Sequence, residues 1–243
     1  MKLNDKTLNI LICSFTFLFL ISFPFDLFIK NEFYILLLQL INRIIFIIFI
    51  LIYSRKYLKK LFFKINLNDL YFFPFILILF CNFYYLLYEH SSFKINYDNL
   101  FIVKLFSIIF TSISEELLFR NLILNNLNFK NKFLNILVSS LIFSLYHLVY
   151  FLSSFNVIDL FIPIYTFGLG FILGFIYVYS KNMIYIIAYH FLFNFINQFL
   201  YSYIIINENL LAFIINGLIV YLLGAIYLLL IYKLKFKKLD ANK

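Results

Sequence analysis

Long runs of Ile, Leu and Phe, broken by short polar segments, set the pattern of this chain. Eight stretches reach the roughly 20 mostly apolar residues that a membrane-spanning helix needs. They cover residues 8–29, 33–53, 70–88, 100–124, 133–152, 160–179, 183–203 and 210–232. The pattern predicts an all-α, polytopic transmembrane helix bundle of about eight spans. The breaks leave no room for a soluble domain, so residues 1–243 are expected to form a single integral-membrane domain. The first stretch exceeds the roughly 7–15 residues of a signal-peptide core, and no Ala-x-Ala cleavage site follows it, so it is expected to be retained.

Lys and Arg in short loops set orientation. Arg55, Lys56, Lys59, Lys60 and Lys64 follow the second stretch; Lys130 and Lys132 follow the fourth; Lys181 follows the sixth; Lys233, Lys235, Lys237 and Lys238 follow the last. The alternate breaks carry Lys30 with Glu32, then Glu89, Lys94 and Asp98, then Asp159, then Glu208. This alternation predicts that both termini are cytoplasmic.

Composition sharpens the picture. Of 243 residues, 65% are apolar and 13% charged, against about 25% charged in soluble domains. So few charges cannot cover so much apolar surface in water, and the lipid bilayer is the implied solvent. A net charge of +9 raises nucleic acid as a partner, but the lysines fall between apolar runs and at the C-terminus, which argues for no nucleic acid. The abundance of Ile, Phe, Asn, Lys and Tyr fits an AT-rich genome and is read without functional content. Cys13 and Cys81 lie inside apolar runs without Cys-x-x-Cys spacing and read as packing residues. Gly170 and Gly174 form a small-xxx-small pair that lets another helix approach closely; helix packing is sufficient to explain it, and holding the seventh stretch near the polar groups described next is a further role open to it.

A charge at the bilayer centre costs about 2.5–3.5 kcal/mol even on the lenient insertion scale. The fourth stretch nonetheless contains Ser114-Glu115-Glu116-Leu117-Leu118-Phe119-Arg120. At 100° per residue Glu116 and Arg120 share a face and suit an i,i+4 ion pair, while Glu115 points elsewhere. Of three histidines, His90 sits in an outer loop, His147 in the fifth stretch, and His190 in the seventh, one turn before Asn194. An isolated intramembrane His is most simply an interhelical hydrogen-bond partner, and an isolated Glu–Arg pair is most simply structural. Acid, imidazole and amide on three helices together point to chemistry. At 1.5 Å per residue, Glu115, His190 and Asn194 lie roughly 10–16 Å from the cytoplasmic face and His147 roughly 15–21 Å, a moderate offset.

The order Glu-Glu-x-x-x-Arg, Phe-x-x-x-His, His-x-x-x-Asn on successive apolar spans resembles the CPBP intramembrane proteases, the CAAX prenyl protease and bacteriocin-processing family. The resemblance covers about residues 100–198, which it marks as a catalytic core. It implies that Glu115 is the catalytic glutamate, that His147 works with it on water, and that His190 and Asn194 stabilise the oxyanion. Glu116, Arg120 and Phe143 become supporting residues. It implies a membrane-associated peptide or protein as substrate and a bacterial plasma membrane as location. One departure is Asn121, where the family commonly has a small residue after the motif arginine.

The residues suit this chemistry independently: hydrolysis by water needs a base, a proton route and an oxyanion stabiliser. Glu115, His147 and His190 are also acceptable Zn²⁺ ligands, so metal-dependent and metal-free forms are both open. No His-Glu-x-x-His fixes two ligands on one helix. Serine and aspartyl intramembrane protease motifs are absent from the sequence; Asp26 and Asp159 lie near span ends. Two other readings are a non-catalytic scaffold or bacteriocin-immunity protein, and a proton-coupled transporter, for which Pro74 and Pro163 offer weak helix breaks. Arg43 and Lys104 have no assigned role.

Overall fold

The computed structural model describes residues 4–59, 100–200 and 210–233, and every regular element among them is helical. The expected third span (70–88), with Pro74, Cys81 and His90, lies outside the described residues, as do the tail lysines beyond Lys233. The helices are α1 (Asp5–Ile21), α2 (Glu32–Tyr53), α3 (Phe101–Glu116), α4 (Lys132–Tyr146), α5 (Leu148–Ser154), α6 (Phe161–Ser180), α7 (Met183–Asn194) and α8 (Leu210–Ile231). Among the described residues, four segments are long and apolar enough to cross a membrane: Asp5–Leu27, Glu32–Tyr53, Lys132–Leu152 and Phe161–Ser180.

Asparagine explains where several helices start. Asn4, Asn31, Asn131 and Asn182 each precede a helix, and each side chain accepts a hydrogen bond from the backbone N–H two residues on. These caps satisfy donors that the first turn leaves unpaired. Four of the asparagines thus mark helix starts.

Two helices depart from regular α geometry where the motifs lie. Beyond Glu116 the α3 rod continues as π-helical turns over Leu117–Leu124, and beyond Asn194 α7 does the same over Phe195–Leu200. Such widened turns recur at functional sites. The expected uninterrupted helix over 133–152 is broken at His147, which forms a turn between α4 and α5.

Packing brings α4 against α6 most extensively, α2 against α3, and α7 against both α3 and α6. Glycine sets the closest of these approaches. A Cβ at Gly170 would stand 2.9 Å from Phe143 Cδ1 and 3.4 Å from Ser140 Cα; one at Gly174 would stand 3.0 Å from Ile136 Cγ2. The glycine pair therefore serves close helix packing, as the sequence indicated, and the helix it admits is α4. Gly170→Ala is expected to destabilise the protein by about 1–3 kcal/mol through overpacking, read as a lowered unfolding temperature in detergent micelles.

At the N-terminal end, Ser54 Oγ donates to Asn9 Oδ1 (2.8 Å), stands 2.9 Å from Cys13 Sγ, and ties α1 to the end of α2. Cys13 is fully buried, in keeping with a packing role. Asn121, the departure from the family pattern, is also fully buried. It accepts from the Lys59 backbone N–H (2.8 Å) and donates to the Lys59 carbonyl (3.2 Å), clamping the segment after α2 onto the π-helical turns.

Candidate active site

The polar groups converge where α3, α7 and the α4–α5 break meet. Arg120 Nη1 donates to Glu116 Oε1 at 3.1 Å, the i,i+4 pair anticipated from the sequence, and Nη2 donates to the Gly170 carbonyl at 3.0 Å. The guanidinium also sits 4.5 Å from the centre of the Phe143 ring. Glu116 and Phe143 are fully buried and Arg120 is 1% exposed. A buried ion pair survives only with such supplementary partners.

Glu116 does more than balance Arg120. Its Oε1 also lies 2.7 Å from His190 Nδ1. An ionised carboxylate is acceptor-only, so Nδ1 carries the proton of this bond. That fixes the ring and leaves Nε2 facing Glu115, whose Oε2 is 3.6 Å away. The two adjacent glutamates thus face opposite nitrogens of one imidazole, Glu116 at hydrogen-bond distance and Glu115 beyond it. Asn194, one turn further along the same helix, is buried.

His147 is half-buried. Its Nδ1 is 2.9 Å from the Phe143 carbonyl. A carbonyl only accepts, so Nδ1–H donates and Nε2 is the free nitrogen. Phe143 packs edge-on against both histidines, with ring centroids 4.8 Å from His147 and 6.0 Å from His190. Glu115, 7% exposed, and His147 line one small cavity with Tyr150, Tyr146, Phe119 and Phe17. Its volume of about 20 Å³ accommodates a single water molecule. The depth offset expected between Glu115 and His147 does not separate them.

The site also uses residues that sequence reasoning missed. Phe17 of α1 forms part of the cavity wall, although the first spans read as generic. Arg43 of α2 interacts electrostatically with Glu115 and Tyr150, and its Nε is buried without a hydrogen-bond partner. The signal was present in the sequence: a lone cation inside an apolar run. Lys104 lies 4.0 Å from Glu32 and belongs to the α2–α3 contact instead.

The proposed zinc ligands fit less well. Among the described residues no group of three or more His, Cys, Asp or Glu side chains is gathered closely enough to hold a metal ion. Glu115 and His190 adjoin, but Glu115, His147 and His190 do not form a three-ligand set in this arrangement.

Residues 97–196 match the family model described as type II CAAX prenyl endopeptidase Rce1-like. This match supports the resemblance to the CPBP intramembrane proteases over that segment. The matched segment runs from just before α3 to just beyond Asn194, so it contains all three motifs and the helices that bring them together. No curated protein and no solved structure matches the chain. The matched segment and the four apolar helices together support an integral membrane protein.

Proposed function

We propose that this chain is an intramembrane endopeptidase that hydrolyses a peptide bond of a membrane-associated protein or peptide with water activated by Glu115 and His147. The observation that carries the reading is the one-water cavity lined by both side chains, with His190 Nε2 beside Glu115. In this mechanism the Glu115 carboxylate takes a proton from the water as its oxygen attacks the scissile carbonyl carbon. His147, held by the Phe143 carbonyl, orients the water through Nε2. The oxyanion of the tetrahedral adduct receives hydrogen bonds from His190 and Asn194. His190 donates from Nε2 only as the doubly protonated ring, because its Nδ1 proton is committed to Glu116. The proton on Glu115 then moves to the departing amine nitrogen, the C–N bond breaks, and the carboxylate is regenerated.

The test compares protein termini in cells carrying wild type and Glu115→Gln at matched expression. New termini present only with the wild type are expected. Identical termini together with a cellular phenotype that survives the substitution would favour the scaffold or immunity reading.

No step runs through a metal. Dialysis of the purified protein against a chelator is therefore expected to leave cleavage intact. Loss of cleavage restored by Zn²⁺ would instead make Glu115 and the histidines ligands, and would require His147 to move toward them.

A further inference from the structure

Arg43 is a cation inside an apolar helix that neither the Glu116–Arg120 pair nor the histidines employ. The geometry of α2 and α3 places it. Glu32 opens α2, Lys104 lies in the first turn of α3, and the two stand 4.0 Å apart. The starting ends of the helices meet and the two pack extensively, so they run in the same direction. Eleven residues further along each lie Arg43 and Glu115. That separation is a rise of roughly 16 Å and a turn of about 1,100°, roughly 20° past three full turns. Arg43 therefore sits opposite Glu115, and the two interact electrostatically. The preceding residue, Asn42, donates to the Leu20 carbonyl at 2.8 Å. This bond ties the same level of α2 to the end of α1, where Leu18, Ile21 and Ser22 line the water-sized cavity.

Arg43 Nε is buried without a hydrogen-bond partner. A guanidinium carries five donors in a fork that matches a carboxylate, and a buried donor left unpaired is costly until a ligand accepts from it. The proposed hydrolysis makes such a ligand here. Collapse of the adduct leaves the acyl fragment as a carboxylic acid, and its proton passes to the released amine. The carbon that the cavity water attacked then bears a carboxylate beside the regenerated Glu115 carboxylate. Between walls of Phe17, Phe119 and Tyr146 these like charges are poorly screened and repel. Arg120 is held by Glu116, the Gly170 carbonyl and Phe143, and Lys104 lies at the Glu32 end of the helix pair.

We propose that Arg43 binds the carboxylate of the acyl fragment released by hydrolysis, a product-binding role contributed by α2 from outside the matched segment 97–196. The inference rests on the protease reading, but its test does not use cleavage. The probes are dansyl-trileucine with a free C-terminal carboxylate and the same peptide as its C-terminal carboxamide; leucine suits the apolar wall of Phe17, Leu18 and Ile21. Each is titrated against the purified protein in uncharged micelles and binding is read from dansyl fluorescence. The wild type is expected to bind the carboxylate roughly 10- to 100-fold more tightly, the span of a hydrogen bond to a charged group. Arg43→Gln is expected to lose that preference while keeping its affinity for the carboxamide, which also reports that the variant is folded. Arg43→Lys is expected to keep part of the preference, and Lys104→Gln, which removes a cation elsewhere on the same helix pair, all of it. Equal affinities in the wild type, or no binding of either probe, overturn the proposal without recourse to any variant; so does a preference that persists in Arg43→Gln. Equal affinities alongside termini found only in wild-type cells remove this role for Arg43 and leave the protease reading standing. A preference lost in Arg43→Gln alongside identical termini overturns the hydrolytic origin of the anion instead.

Discussion

Glu115→Gln is expected to lower cleavage by about 10²–10⁴-fold, the contribution of a general base, with little change in unfolding temperature. Gln keeps the volume of the side chain, so the neighbouring cavity and the contact with His190 survive. What disappears is the ability to take a proton from water. The selective effect depends on Glu115 being outside the principal ion pair, since Arg120 is bonded to Glu116. The measurement is turnover of a peptide spanning a terminus found only in wild-type cells, beside thermal unfolding of both proteins in the same micelle. Turnover within a few-fold of wild type would remove Glu115 from the chemistry. Glu116→Gln supplies the contrast: it weakens the bonds to both Arg120 and His190, so activity and stability are expected to fall together.

Arg120→Met carries the largest expected effect on stability, a loss of about 3–5 kcal/mol. The substitution removes the guanidinium from Glu116, from the Gly170 carbonyl and from the face of Phe143. Glu116 is then a fully buried carboxylate whose remaining partner is His190. Most of the cost is that uncompensated charge, not the worth of the pair itself. Adding Glu116→Gln to Arg120→Met is accordingly expected to recover part of the loss, a non-additivity characteristic of directly coupled residues. Unfolding in micelles for the wild type, both single variants and the double variant measures it. Strict additivity would mean that the two side chains stabilise the bundle separately.

Both expectations rest on residues that stand out in the sequence, yet their division of labour was only half visible there. Helical periodicity was enough to pair Glu116 with Arg120 and to turn Glu115 away, because i,i+4 geometry is local. It could not reveal that Glu116 also grips His190, 74 residues distant. The same limit applies to Gly170. Its small size announces a close approach, but whether α4 or α7 fills the space depends on how the helices are arranged. His147 illustrates a different failure. An apolar run of uniform character reads as one helix, and nothing local foretells the turn at which its ring bonds back to Phe143.

By itself, the order of residues determined that the chain is helical, that lipid is its solvent, and which ionisable groups are too costly to be incidental. These are properties of single segments: apolar length, period and the price of an unpaired charge. Only the tertiary structure decided that α1 walls the water-sized cavity, that Arg43 lies within electrostatic reach of Glu115, and that the three candidate zinc ligands do not form one set. Those outcomes depend on distances between helices remote in the chain, and apolar faces of nearly uniform Ile, Leu and Phe specify burial without specifying the partner.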